Sequence, residues 1–146
     1  MTTDLRAVVR AAEVMPVRVK RFEESLDAAE AYEVDADLAE LEGRAADARV
    51  EARRAGDAYR DAGYAVIPAT GHTRENVILT DVAIAMMRAA GRAYERGRSR
   101  KKADIAYDLA DRWLAFADRA RLNFEAAPRL SADSWGRQGR WTRRRR

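Results

Sequence analysis

Apolar and small residues recur along most of this chain at steps of three and four, the spacing of one face of an α-helix. The first such stretch, "LRAVVRAAEV", can be capped by Thr3 or Asp4 and should end at Met15, because the residue before a proline is pushed out of helical geometry. Pro16 then suits the first turn of a second helix, Pro16 to Ala31, where an N–H would have no partner. From Asp35, an N-cap residue type, a third pattern reaches Ala62. Its seam is Leu38, Leu41, Ala45, Ala48, Ala52, Ala55, Tyr59 and Ala62, which alternate steps of three and four as a and d positions do. Asn76 can cap a fourth helix that stops at Gly97, and Leu79, Ala83, Met86, Ala90 and Ala93 keep the same spacing. A fifth helix, Lys102 to Ala126, places Ile105, Leu109, Trp113, Phe116, Ala120 and Phe124 on one face before Pro128 ends it.

The expected fold is therefore all-α, a helical bundle with a long antiparallel helical hairpin. Residues 1–128 form one domain: 1–31 a candidate helix-turn-helix pair, 35–97 the hairpin, 102–126 the final helix. Residues 129–146, "RLSADSWGRQGRWTRRRR", have no periodicity and read as a disordered basic arm. The hairpin tip is "GYAVIPATGHTREN". There Gly63 should release the chain from its helix, Tyr64 to Pro68 run as a short extended stretch, Gly71 turn the chain, and Asn76 restart the helix.

Charge sharpens this outline. The net +4 hides a segregation: from Arg129 onward the chain carries a net +6, so residues 1–128 carry −2. Phe22 to Glu42 hold nine acids and no base, whereas Arg96 to Lys102 hold five bases and no acid. One region thus faces polyanions, and another repels nucleic acid or docks a basic partner. The ratio of 25 Arg to 3 Lys, beside 31 Ala, also matches the codon bias of a GC-rich genome, so arginine abundance alone carries no function.

Catalysis finds little support. The chain has no Cys and a single His, His72, and it lacks a phosphate-binding P-loop, an H-E-x-x-H and a G-x-S-x-G. No enzyme activity, cofactor or metal site is expected. No apolar run approaches a membrane span, and the N-terminus lacks the apolar core of a secretion signal, so a soluble protein of the cytoplasm is expected, with no membrane partner.

Two places fit duplex DNA. Arg137, Arg140 and Arg143, Arg144, Arg145, Arg146 in the arm can neutralise phosphates, while Trp135 and Trp141 can stack on exposed bases. The second place is "VVRAAEVMPVRVKRFEESL", where the second helix of a helix-turn-helix pair would present Arg18, Lys20 and Arg21; Glu13 stands where the turn usually has Gly. The Ala-rich seam, with Leu79 and Met86 across it, reads as an oligomerisation element: Leu38, Leu41, Ala45, Ala48, Ala52, Ala55 and Tyr59 would meet another copy of the chain.

With these pieces placed, "DAGYAVIPATGHTRENVILTDVAIAMMRAAGRAYERG" resembles the central part of phage terminase small subunits of one large family. In that pattern a helix ends in Gly, a short apolar stretch follows, and a polar turn carries a Gly shortly before the Asn-Pro that opens the next helix. Gly63, "YAVIP", Gly71 and Asn76 match it; Val77 departs from the usual proline, and the long fifth helix is often missing there. The likeness spans 37 of 146 residues. It implies a non-enzymatic, ring-forming homo-oligomer that binds viral DNA, recruits the large terminase subunit with its ATPase and nuclease activities, and so starts DNA packaging. A virion structural or head-to-tail connector component, and a small bacterial nucleic-acid-binding helical protein, are the alternatives from the same features.

Overall fold

A computed structural model describes residues 4–12, 14–69 and 73–129, with side chains as far as Leu122. The described residues form five helices and no strand: α1 (Leu5–Ala11), α2 (Pro16–Leu41), α3 (Ala45–Val66), α4 (Arg74–Arg96) and α5 (Arg100–Arg129). The expectation of an all-α helical bundle is met. The carboxylate of Asp4 accepts from the amides of Arg6 and Ala7 to cap α1, and Pro16 occupies the first turn of α2. No described helix is long and apolar enough to cross a membrane.

The four long helices run up and down, each packed on its neighbour in the chain: α2 on α3, α3 on α4, α4 on α5. The short α1 lies against both α2 and α4. Side chains from α1 to α5 share one core that includes Val9, Phe22, Tyr59, Leu79, Met86 and Ala106. On the far side of α4, Ile84 and Met87 pack against Ala110 and Ala117 of α5. α4 is thereby covered on most sides, while α2 and α5 form the two edges.

The boundary between the second and third segments is not where the seam placed it. α2 passes unbroken through Ala31 to Asp35, since nothing in "YEVD" stops a helix. The chain turns instead at Gly43, which adopts φ 74°. The amide of Arg44 donates to the carbonyl of Ala39 at 2.8 Å and that of Gly43 to Glu40 at 3.1 Å, the paired bonds of a glycine-ended helix. Leu38 and Leu41 therefore belong to α2 and Ala45 onward to α3, so the expected continuous seam is cut in two.

The hairpin tip is also shorter than expected. Gly63 stays inside α3, where it lets Ala83 and Met86 of α4 come close. Tyr64 to Val66 are helical rather than extended, and the helix stops only because Ile67 precedes Pro68. Asn76 is not the cap: Thr73 is, its hydroxyl oxygen accepting from the Asn76 amide at 3.1 Å. Gly71 and His72 lie outside the described residues.

The last turn, at Gly97 to Ser99, repeats the bonding of the first with a different residue in the left-handed position. Ser99 donates to Tyr94 at 2.8 Å and Arg98 to Glu95 at 3.0 Å, while Arg98 itself holds φ 56°. A side chain in that region costs about 1–2 kcal/mol, partly offset by the greater freedom glycine loses on folding. Arg98→Gly is expected to raise stability by about 0.5–1 kcal/mol, read as a higher urea midpoint at unchanged slope.

The fifth helix meets the bundle by a different face from the one its large residues mark. Ala103, Ala106, Ala110 and Ala117 are buried against the core, whereas Ile105 and Phe116 are 58% and 38% exposed. Small residues let α5 approach α4 closely, and α4 provides the bulk through Met87 and Ile84. The stripe of Ile105, Leu109, Trp113 and Phe116 is left along the flank of α5 that faces α3; the side chain of Phe124 lies outside those described.

Candidate nucleic-acid interface and assembly surfaces

The start of α2 gathers the first set of predicted DNA contacts, but gives them different work. Arg18 turns inward: Nε donates to the carbonyl of Ala65 at 2.9 Å and an Nη atom to that of Ile67 at 2.7 Å. These are carbonyls at the C-terminus of α3, where unsatisfied oxygens and the helix dipole favour a cation. Arg18 is thus a capping group of α3. Lys20 and Arg21 face solvent; Glu24 lies 3.9 Å from Lys20.

The acids further along α2, which would oppose phosphate, are met by α1. Arg6 reaches Asp27 at 2.5 Å and Glu30 at 3.1 Å, and Arg10 reaches Glu23 at 2.5 Å. The Arg10 guanidinium holds the Glu23 carboxyl below the usual carboxylate range, while the partial burial of that carboxyl opposes the shift. α1 therefore neutralises the acidic flank of α2 next to Lys20 and Arg21.

Trp135, Arg137, Arg140, Trp141 and Arg143 to Arg146 lie outside the described residues. The antiparallel order fixes where α5, which precedes them in sequence, ends. α2 begins, α3 ends, α4 begins and α5 ends at one end of the molecule, as Arg18 on Ala65 and Arg121 on Asp81 both require. The last described residue, Arg129, thus stands at that end.

The predicted oligomerisation residues divide sharply. Ala48, Ala52, Ala55, Tyr59, Leu79 and Met86 are buried inside the chain, where α3 packs on α2 and α4, with Ala52, Ala55 and Tyr59 at the floor of a cleft between α2 and α4. Ala45 is exposed at the start of α3. Leu38 and Leu41 of α2 are 48% and 83% exposed, Leu38 at the rim of the cleft between α2 and α3.

Sequence reasoning missed a device that recurs along the bundle. Tyr94 of α4 lies over Gly56 of α3 and donates its hydroxyl to Asp57 at 2.6 Å; Tyr107 of α5 lies over Gly91 of α4 and donates to Glu95. Burial and the Asp57 carboxylate both push the Tyr94 phenol up. The signal available was a Gly followed by an acid on one helix with an unassigned Tyr on the next.

Little on this surface converges for catalysis. A cleft of about 400 Å³ at the α2–α3 turn holds Glu42, Asp47 and Glu51, but Arg44 lies 2.9 Å from Glu42 and from Asp47, and Arg54 lies 2.8 Å from Glu51. Among the described residues no group of three or more His, Asp or Glu is arranged to hold a metal ion. No protein-family model matches the chain, and no curated protein or solved structure matches it either.

Proposed function

We propose that this chain is a non-enzymatic DNA-packaging subunit of the terminase small-subunit kind, which self-associates, binds duplex DNA and recruits a large subunit that cuts and translocates it. The observation that carries the DNA half is that Lys20 and Arg21 at the start of α2 stand at the end of the molecule where α5 ends, and the arginine-rich sequence follows α5. Each subunit would bind DNA weakly through phosphates, and an assembly would present many copies at high effective concentration. The packaging role comes from the resemblance around residues 61–97, two of whose landmarks, Gly63 and Asn76, hold different local positions here from those the pattern implied.

Duplex binding measured by fluorescence anisotropy over a salt series tests it. Affinity should fall steeply with salt, and removal of Arg143 to Arg146 should flatten the plot of log K against log salt by about 3 to 4 units, as the loss of four phosphate contacts requires. Lys20→Ala with Arg21→Ala should flatten it by about 2. Arg18→Ala should leave the slope alone and instead lower stability by about 1.5–3 kcal/mol, the worth of charged hydrogen bonds. Binding that is absent, or indifferent to salt, would overturn the proposal in favour of a connector component that meets only protein.

A further inference from the structure

We infer that copies of this chain assemble edge to edge, the exposed apolar ridge of α2 from one copy lying in the groove between α3 and α5 of the next, an arrangement that rests on the self-association proposed above and supplies its contact. The groove has about 220 Å³ of open space over α4, floored by Met87 and Tyr94 and walled by Tyr64 of α3 and by Ile105 and Leu109 of α5. Its walls are open and largely apolar, Tyr64 being 53% exposed, but Arg60 and Lys102 also line it, and Trp113 lies edge-on to Tyr64 at 5.8 Å.

The chain shows how such a groove is filled. One helix along, α1 covers one end of the corresponding groove between α2 and α4, with Val9 fully buried, while the other end, between Glu33 of α2 and Arg92 of α4, stays open. No described segment covers the groove between α3 and α5. A helix with an apolar ridge is what fits, and α2 presents one: Val34, Leu38 and Leu41 follow steps of four and three and are exposed, Leu38 at the rim of the cleft toward α3.

Charge selects α2 of a second copy as the occupant. The ridge is flanked by exposed Asp35 and Glu42, within the stretch of nine acids and no base. The groove opens toward the start of α5, where Arg98, Arg100 and Lys101 are exposed and make no ion pair among the described residues, with Asp104 beside them. α2 ends and α5 begins at the same end of the molecule, so antiparallel docking sets the acidic end along the basic turn. Pairing α2 with α2 would instead set acid against acid. Each copy then carries one ridge and one groove on different edges, a head-to-tail contact that closes into a ring or runs on as a filament. The apolar ridge is short, so each contact is weak and assembly depends on concentration.

Sedimentation velocity on the full chain, from micromolar to near-millimolar concentration, tests this with Leu38→Glu, Ile105→Glu and their equimolar mixture. The wild type should form species larger than a dimer. Each variant alone should be a monomer with an unchanged helical spectrum and melting temperature, since both residues are exposed. The mixture should form a dimer and stop there, because one partner keeps only a groove and the other only a ridge. A monomeric wild type, variants that assemble normally, or a mixture that stays monomeric would each overturn the arrangement. If Trp135→Ala with Trp141→Ala turned a monomeric chain into an assembling one, the arm would be the occupant and the inference would fall. Duplex binding by the same variants separates the two readings: DNA binding without assembly removes only the edge contact, and assembly without DNA binding removes only the packaging role.

Discussion

Gly56→Ala should destabilise the protein by about 1–3 kcal/mol, the usual cost of forcing a methyl group into a filled site. A Cβ at position 56 would stand 2.6 Å from both Cδ1 and Cε1 of Tyr94. The ring cannot swing aside, because Tyr94 is 1% exposed and its hydroxyl is tied to Asp57, one residue along α3. Lys102 of α5 sits over the same ring at 5.5 Å, so a displaced Tyr94 disturbs three helices. Alanine's higher helix propensity, worth about 1 kcal/mol, works against this loss without reversing it. The control is Gly91→Ala, whose Cβ would meet the Tyr107 ring at the same 2.6 Å. Tyr107 is only partly buried and can rotate outward, so that change should be near neutral. Urea unfolding of both variants, and of Gly56→Ala combined with Tyr94→Leu, measures the contrast. The double variant should lose less than the two single losses added together. Equal effects at positions 56 and 91 would show that burial of the facing ring does not decide the outcome.

That contrast marks what the residue pattern could and could not convey. Helix existence followed from the three-four spacing, and Asp4, Pro16 and Gly97 fell at or beside the ends they were expected to set. Gly43 was passed over because the seam ran across it in step, and periodicity alone cannot tell a long helix from two whose phases agree. The opposite error occurred at Gly63, where a glycine that serves close approach was read as a stop. On α5 the large residues drew attention to the wrong face, since an alanine face allows a shorter distance to α4 than a leucine face would. The oligomerisation seam failed for the same reason: Ala48, Ala52 and Ala55 do permit a helix to come near, but the helices that come near are the chain's own α2 and α4. At the start of α2, Lys20 and Arg21 were legible as exposed charges. The destination of Arg18 was not, because its partners are backbone carbonyls nearly fifty residues away.

Phe22→Ala should be the most damaging single change at the end where α2 begins, with a loss of about 3–5 kcal/mol. Phe22 is fully buried, as is Val9 of α1, and both belong to the core that Leu26, Tyr59 and Leu79 share. Seven residues are too few for α1 to hold its helix alone, so its docking depends on what it packs against. The ion pairs from Arg6 and Arg10 to α2 are open to solvent and screened by it, too weak to retain α1 once the core beneath is emptied. Phe22→Leu, which keeps most of the volume, should cost no more than about 1.5 kcal/mol. Hydrogen exchange provides the sharper measurement: in Phe22→Ala the amides of α1 should lose protection ahead of those of α3 and α4, and in Arg6→Ala they should not. A uniform loss across all helices would mean that Phe22 supports the bundle at large and not the seat of α1. The functional consequence follows from charge: once α1 lifts, Glu23, Asp27 and Glu30 lose their arginines beside Lys20 and Arg21. Duplex affinity at low salt should then fall more in Phe22→Ala than in Phe22→Leu, even at temperatures where both remain folded.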